Sequence, residues 1–382
     1  MQNKIVIVTR QLFYGAPQAL RDYLIQKHSD TVVFIGLPFL TQRNLIIQIY
    51  QRGQEKQEKQ IYQKDLGILS QITEFFQLLL WFLAKRQVYA LFIGVDPLNC
   101  LLGLLLKKSG LVKKVIFYSI DFTPIRFENR FINFFYHFVE GYCVKHADEV
   151  WNVSPRITEG REKFLHIGPN EYPQKVVPIG VWNKMVRKIP FEKVKKSQVV
   201  FLGHLLKKQG VQEMLSAIPQ IIRDIPRFHF VILGGGEYEV ALKQQVKKLH
   251  IEKYVSFKGW IKERELLDKT LGESAIAIAT YVPEKDRLRN FSYYGDPTKL
   301  KDYLAAGMPV ILTNVSYNAK ILEEKKCGIV VEYESRSIAK AVLYLLKDQK
   351  KLKEYRRNAL LYANQFDWKT IFTYAFAEKK LQ

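Results

Sequence analysis

The chain has 382 residues and a formal charge of +22, from 59 lysines and arginines against 37 aspartates and glutamates. Hydrophobic residues make up 48% and aromatics 13%, which excludes a disordered chain and suits two domains of roughly 150–200 residues. The excess of positive charge favours an anionic partner (nucleic acid, acidic lipid or a phosphorylated substrate) without choosing among them.

Cys100, Cys143 and Cys327 are scattered and odd in number, and the seven histidines are dispersed, so neither a disulfide framework nor a zinc site is expected. The N-terminus MQNKIVIVTR turns polar too soon for a signal peptide. The runs FFQLLLWFLA (75–84) and PLNCLLGLLL (97–106) stop well short of the ~20 residues that cross a bilayer. A cytoplasmic protein is expected, with peripheral attachment to the inner face of a membrane left open.

In chain order, 4–9, 31–38, 90–95, 114–121 and 149–154 read as buried strands, with helix-period stretches between several of them. Residues 175–198 lose this periodicity and read as a connection between domains. The alternation then restarts, with strands at 199–203, 229–236, 254–260, 275–280, 309–314 and 328–333. The fold class is therefore α/β, with two Rossmann-like domains of parallel sheet, 1–180 and 181–365, facing across a cleft. An amphipathic helix at 366–382 follows and is expected to cover the first domain.

Two aromatic stretches carry a membrane alternative. FFQLLLWFLAKRQ (75–87) reads as a buried helix before it reads as a membrane segment. Phe131, Phe134, Phe135, Phe138 and Tyr142 recur at helical spacing, which suits a core.

The chemistry concentrates at glycine turns after strands of the second half. In GDPTKLKDYLAAGMPVI (295–311), Asp296 and Pro297 read as N-cap and first helical residue, and Gly307 as the residue that closes the helix. Lys299 opposes the usual preference at a helix N-terminus, unless an anion sits there. Asp302, one turn on, suits a sugar or ribose hydroxyl. In FLGHLLKKQGV, Gly203 ends a strand and Lys207 and Lys208 precede Gly210, a plausible diphosphate cradle. Gly234 to Gly236 in VILGGGEYE allow close backbone approach, though tight structural turns use the same residues.

This series, with VSFKGW and VVPIGV, resembles the donor-binding domain of retaining GT-B glycosyltransferases, the large group 1 type that includes sucrose synthase and bacterial mannosyl- and glucosyltransferases. The resemblance is specific from about residue 176 onward. It implies hexose transfer from a nucleotide-diphosphate sugar to a saccharide or lipid-linked acceptor, with retention and without a metal or other cofactor. Lys208 and Lys299 would hold the diphosphate, and His204 stands where the family places an arginine. Gly203 and Gly235 would admit the donor. Tyr294 and Asp302 occupy the two family glutamate positions, on the donor sugar and the ribose. Gly295, Asp296 and Thr298 would face the sugar, and Lys258 to Ile261 would bracket the base.

In the first half, Gly15 would adjoin the diphosphate. Asp121 would lie on the acceptor side or serve as a turn residue. No nucleic-acid motif is present. The competing reading is a GT-B-like scaffold that has lost catalysis, or a basic nucleic-acid- or membrane-binding protein.

Overall fold

Short β-branched runs closed by glycine or a polar turn become strands in both halves of the chain, and the helices between them carry one apolar face. The computed structural model describes residues 4–11, 13–38, 44–63, 68–261, 263–283, 288 and 290–377. The chain divides into two units, one of Met1–Ile179 with Ile371–Gln382, the other Gly180–Thr370.

The first unit has strands β1 (Lys4–Thr9), β2 (Thr31–Gly36), β3 (Asn44–Gln51), β4 (Gln54–Tyr62), β5 (Tyr89–Val95), β6 (Val112–Ser119), β7 (Glu149–Asn152) and β8 (Gln174–Val176). Their order is β4-β3-β2-β1-β5-β6-β7-β8. All neighbours are parallel except the β3–β4 hairpin and its pairing with β2. The hairpin and β8 lie outside the expected strands, and β8 takes the start of the segment read as a connection.

The core on one sheet face joins Val6, Val8, Phe92, Val115 and Phe117 to Leu78, Phe82 and Cys143 from the helices. Fully burying a side chain of this kind contributes about 1.5–3 kcal/mol. Arg161, buried completely, donates to Glu140 Oε1 at 3.0 Å, Asn152 Oδ1 at 2.7 Å and Ser119 Oγ at 2.8 Å. It therefore ties the helix Pro155–Leu165 to β6, β7 and the helix Arg130–His146. At the C-terminus, Phe372 and Phe376 pack on Tyr23, Phe376 meets Trp151, and Lys175 donates to the Ala375 carbonyl at 2.8 Å. Residues 378–382 of the expected C-terminal helix lie outside the described residues.

One expectation is corrected here. Phe131, Phe134, Phe135 and Phe138 are exposed, not core; the helix Arg130–His146 instead turns His137, Val139, Glu140, Cys143 and Val144 inward. Its polar residues tolerate that burial because they are paired: His137 Nδ1 lies 2.9 Å from Glu140, which also holds Arg161. The helix Ile68–Lys85 divides its apolar residues, burying Leu78 and Phe82 and exposing Phe76 and Leu80.

The second unit has β9 (Lys195–Leu202), β10 (His229–Leu233), β11 (Val255–Phe257), β12 (Ser274–Ala279), β13 (Val310–Thr313) and β14 (Gly328–Val331). They form a wholly parallel sheet in the order β11-β10-β9-β12-β13-β14. Val199, Phe201, Phe230, Ile276 and Ile278 meet Met214, Leu215 and Ile218 of the helix Val211–Asp224 in its core.

Candidate functional site

Between β9 and β12 the strand order of the second unit reverses, and open parallel sheets bind ligands at the carboxyl ends of strands at such a point. The turns there are laced together by backbone. Gly203 N–H donates to Leu233 O at 2.9 Å, Gly234 N–H to Gly259 O at 2.7 Å, and Leu205 N–H to Gly235 O at 3.0 Å. A Cβ on Gly234, whose φ is +126°, would stand 2.0 Å from the Gly203 carbonyl oxygen. Only glycine fits.

The helix Thr298–Ala305 is fixed across the reversal by Tyr303. Its hydroxyl accepts from Leu202 N–H at 2.7 Å and lies 3.4 Å from the Ile278 carbonyl, so it bridges β9 and β12. Gly307, at φ +75°, closes the helix as expected: its N–H donates to Leu304 O, and Met308 N–H donates to Tyr303 O.

The expected N-cap is corrected. Pro297 occupies the cap position without a side-chain bond, while Asp296 turns inward. Its carboxylate accepts from the buried Lys301 ammonium, and from Asn318 Nδ2 at 2.9 Å. Burial lowers the Lys301 pKa, and Asp296 opposes that shift. Thr298 stays exposed at the head of the helix.

Lys299 points to the glycine turn. Its Nζ donates to Gln209 Oε1 at 2.6 Å and lies 4.2 Å from the centre of the Phe201 ring. A Cβ on Gly203 would come within 3.0 Å of this ammonium. Part of the side chain remains exposed, yet burial of the ammonium pushes its pKa down to about 7. Among the described residues no carboxylate pairs with it. Gln209 belongs to the turn Lys207–Gln209, which is stitched to the end of β12: Lys208 O accepts from Val282 N–H at 3.0 Å, and Gly210 O from Thr280 Oγ1 at 3.1 Å. The Lys208 ammonium sits 3.8 Å over the Phe291 ring.

His204 is exposed and meets Trp260 edge-to-face at 5.1 Å. Trp260, itself 56% exposed, lies over Gly235, where a Cβ would be 3.1 Å from the indole nitrogen. An exposed aromatic plane above a bare backbone suits a flat ligand group. Asp302 faces Arg264 Nη2 at 3.4 Å. Burial raises its pKa to about 6 despite Arg264, with Asp268 adding to the rise.

The structure thus joins Gly203 to Lys299, sets His204 and Gly235 each against Trp260, and places Asp302 one turn along the same helix as Lys299. Sequence reading passed over Gln209, Arg264 and Tyr303, and reached Trp260 only as part of the segment Lys258 to Ile261. Two expected residues turn into packing: Tyr294 is buried against Tyr293, and Asp296 pairs with Lys301. Gly295 separates them, and a Cβ there would lie 2.8 Å from the Phe291 carbonyl. Lys258 and Ile261 line an open groove of about 410 Å³ with His229, Ser256 and the helix Arg264–Glu273.

Gly15 and Asp121 belong to the first unit. Gly15 precedes the helix Ala16–Gln26 and donates its N–H to Gln18 Oε1 at 3.0 Å. Asp121 follows β6 and pairs with Arg126 at 3.0 Å, whose guanidinium covers the Tyr136 ring at 5.0 Å. Asp96, also missed, follows β5 at φ +97° and caps the next helix through Asn99 N–H at 2.9 Å. Burial raises its pKa to about 6.

Among protein families, residues 184–361 match the one described as glycosyl transferases group 1. This segment is similar to glycosyl transferases group 1 domains. The matching segment falls within the second unit and holds Gly203, Lys208, Lys299 and Asp302.

The GDP-mannose-dependent alpha-(1-6)-phosphatidylinositol monomannoside mannosyltransferase of Mycobacterium tuberculosis is 29% identical over 152 residues, 40% of this chain and 38% of that protein. The match thus spans well under half of this relative. Across nearly the whole chain the fold is that of solved GT-B structures. Sucrose-phosphate synthase from Thermosynechococcus elongatus superposes with a TM-score of 0.74 at 13% identity, covering 98% of this chain and 97% of that one. Anabaena HepE in complex with UDP and glucose gives 0.70 at 16%, covering 98% of each. At these identities the likeness is one of fold.

Proposed function

We propose that the protein transfers a hexose from a nucleotide-diphosphate sugar to a saccharide or lipid-linked acceptor, with retention of anomeric configuration and without a metal. The observation that carries this reading is the Lys299 ammonium, held by a neutral amide at the carboxyl end of the sheet with its pKa driven down by burial. A cation in that state gains most when an anion arrives, and a diphosphate offers the charge.

Lys299 and Lys208 take up charge as the bond from the sugar to the diphosphate breaks, which is where preorganised positive groups lower a barrier. Asp302 accepts from the ribose hydroxyls, and Trp260 provides the surface for the base. The departing phosphate oxygen lies on the face from which the acceptor hydroxyl attacks and takes its proton. Retention follows without a protein nucleophile. The mycobacterial relative, named for a phosphatidylinositol monomannoside, supports a lipid-linked acceptor.

The test is to incubate the purified chain with UDP-, GDP- and ADP-sugars, with and without a chelator, and to measure nucleoside diphosphate release. The anomeric configuration of the product is then read by NMR. Release that survives chelation, with the donor's configuration kept, is expected; an inverted product contradicts the mechanism. Diphosphate binding without turnover of any donor or acceptor would instead describe a scaffold that kept the site and lost the reaction, the reading that the His204 and Tyr294 departures favour.

A further inference from the structure

In the first unit the helices Ile68–Lys85, Pro97–Lys108 and Arg130–His146 pack side by side on one face of the sheet. The outer side of this layer is unusually apolar. Phe131, Phe134, Phe135 and Phe138 are 85%, 70%, 67% and 61% exposed, at the spacing of one helical ridge. Four rings exposed to this degree present on the order of 500 Å² of aromatic surface, as large as the largest apolar patch on most monomers. On the first helix Phe76 and Leu80 are 54% and 65% exposed.

The charges on the layer have one sign. The three helices contain two acids, Glu74 and Glu140, each 2% exposed and ion-paired, with Arg10 at 2.7 Å and Arg161 at 3.0 Å. Every other charged residue on them is basic; Lys85, Lys108, Arg130 and Lys145 are exposed. Aromatic rings bordered by lysine and arginine, with the carboxylates turned inward, complement an anionic lipid surface: the rings enter the headgroup boundary and the cations meet the phosphates. A second copy of the chain fits the face less well, because pairing would set these like charges against each other in a protein of formal charge +22.

We propose that this face, centred on Phe134 and Phe135, docks the protein on an anionic bilayer. The proposal stands on the first unit alone and is independent of the donor-site reading.

The experiment is co-sedimentation of the full chain with vesicles of phosphatidylcholine, and of phosphatidylcholine mixed with phosphatidylglycerol. The variants are Phe134→Ser with Phe135→Ser, and Lys85→Glu with Arg130→Glu. Thermal unfolding checks that each variant folds, and analytical ultracentrifugation without lipid reads self-association. Binding to the phosphatidylglycerol vesicles, reduced at least about tenfold in each double variant and weakened by salt, is the expected result. The proposal is overturned if the wild type binds neither vesicle, or if the folded serine variant still binds. It is equally overturned if the wild type self-associates and the serine variant does not, since the face would then cover another copy.

Discussion

The Lys299 ammonium and the Gln209 amide oxygen, ninety residues apart in sequence, meet at 2.6 Å beside Gly203. The contact joins the head of one helix to the turn after β9, and it leaves the cation with a neutral partner. That pairing is adequate for folding and weak for a charge, which is the state expected of a group waiting for a phosphate.

Replacing Lys299 with methionine should therefore separate stability from binding. The folded-state pKa of about 7 lies below the ~10.4 of an unfolded lysine, so between those values the unfolded chain holds more protons. Stability of the ligand-free protein should rise with pH across that window, and Lys299→Met should remove this part of the rise. At neutral pH the variant should melt about 2–4 °C higher than the wild type while losing diphosphate binding, as read by calorimetric scans with and without nucleotide.

Nucleotide affinity should pass through an optimum between pH about 6 and about 7. Asp302 becomes a carboxylate above about 6, and Lys299 loses its ammonium above about 7. Isothermal titration of UDP or GDP against pH should show both limbs. Asp302→Asn should flatten the acid limb and Lys299→Ala the alkaline one. The nucleotide's own titration is common to all three proteins and cancels in the comparison.

Tyr303→Phe should cost about 1–2 kcal/mol of second-unit stability in urea unfolding, because Leu202 N–H loses its buried partner at 2.7 Å. Since that hydroxyl holds the helix of Lys299 across β9 and β12, nucleotide affinity should fall as well, although Tyr303 is given no contact with the ligand. Unchanged affinity would show that the helix is positioned by packing alone.

Arg161→Ala should be the more damaging change in the first unit, at about 3–5 kcal/mol, because it leaves Glu140 charged and buried beside His137. The near-ultraviolet signal of Trp151, which lies in β7 beside Asn152, should report the transition, while the nucleotide response of the second unit should persist.

The parts of the fold that could be read from sequence were those where burial writes a pattern. The strands of the second unit are apolar runs ended by Gly203, Gly234 and Gly259, glycines whose positive φ the turns require. The β3–β4 hairpin escaped because β4, QEKQEKQIY, is exposed along almost its whole length and has no apolar alternation to show; its lysines and glutamates suit an edge that must not pair further. The helix Arg130–His146 shows its period but not its direction. Sequence alone gives no reason to bury His137 and Glu140 until Arg161 arrives from another helix to pair with them.

The same limit applies at the site. Lys299 stood out because a lysine at a helix head is unfavourable, and Asp302 by its spacing from it. Gln209 and Arg264 act through neighbours that are distant in sequence, so nothing local marks them. Asp296 misled for the opposite reason. Asp-Pro is a good local cap, and a buried lysine five residues on outcompetes it.

The central claim is that the glycine turns and Lys299 form a nucleoside diphosphate site. Its most direct test is thermal stabilisation of the purified chain by UDP, GDP and ADP, with and without magnesium, repeated on Lys299→Ala. The account predicts that one diphosphate raises the melting temperature of the wild type, that magnesium leaves the shift unchanged, and that the variant loses it. No shift with any of the three at millimolar concentration, or a shift of the same size in the variant, would contradict it.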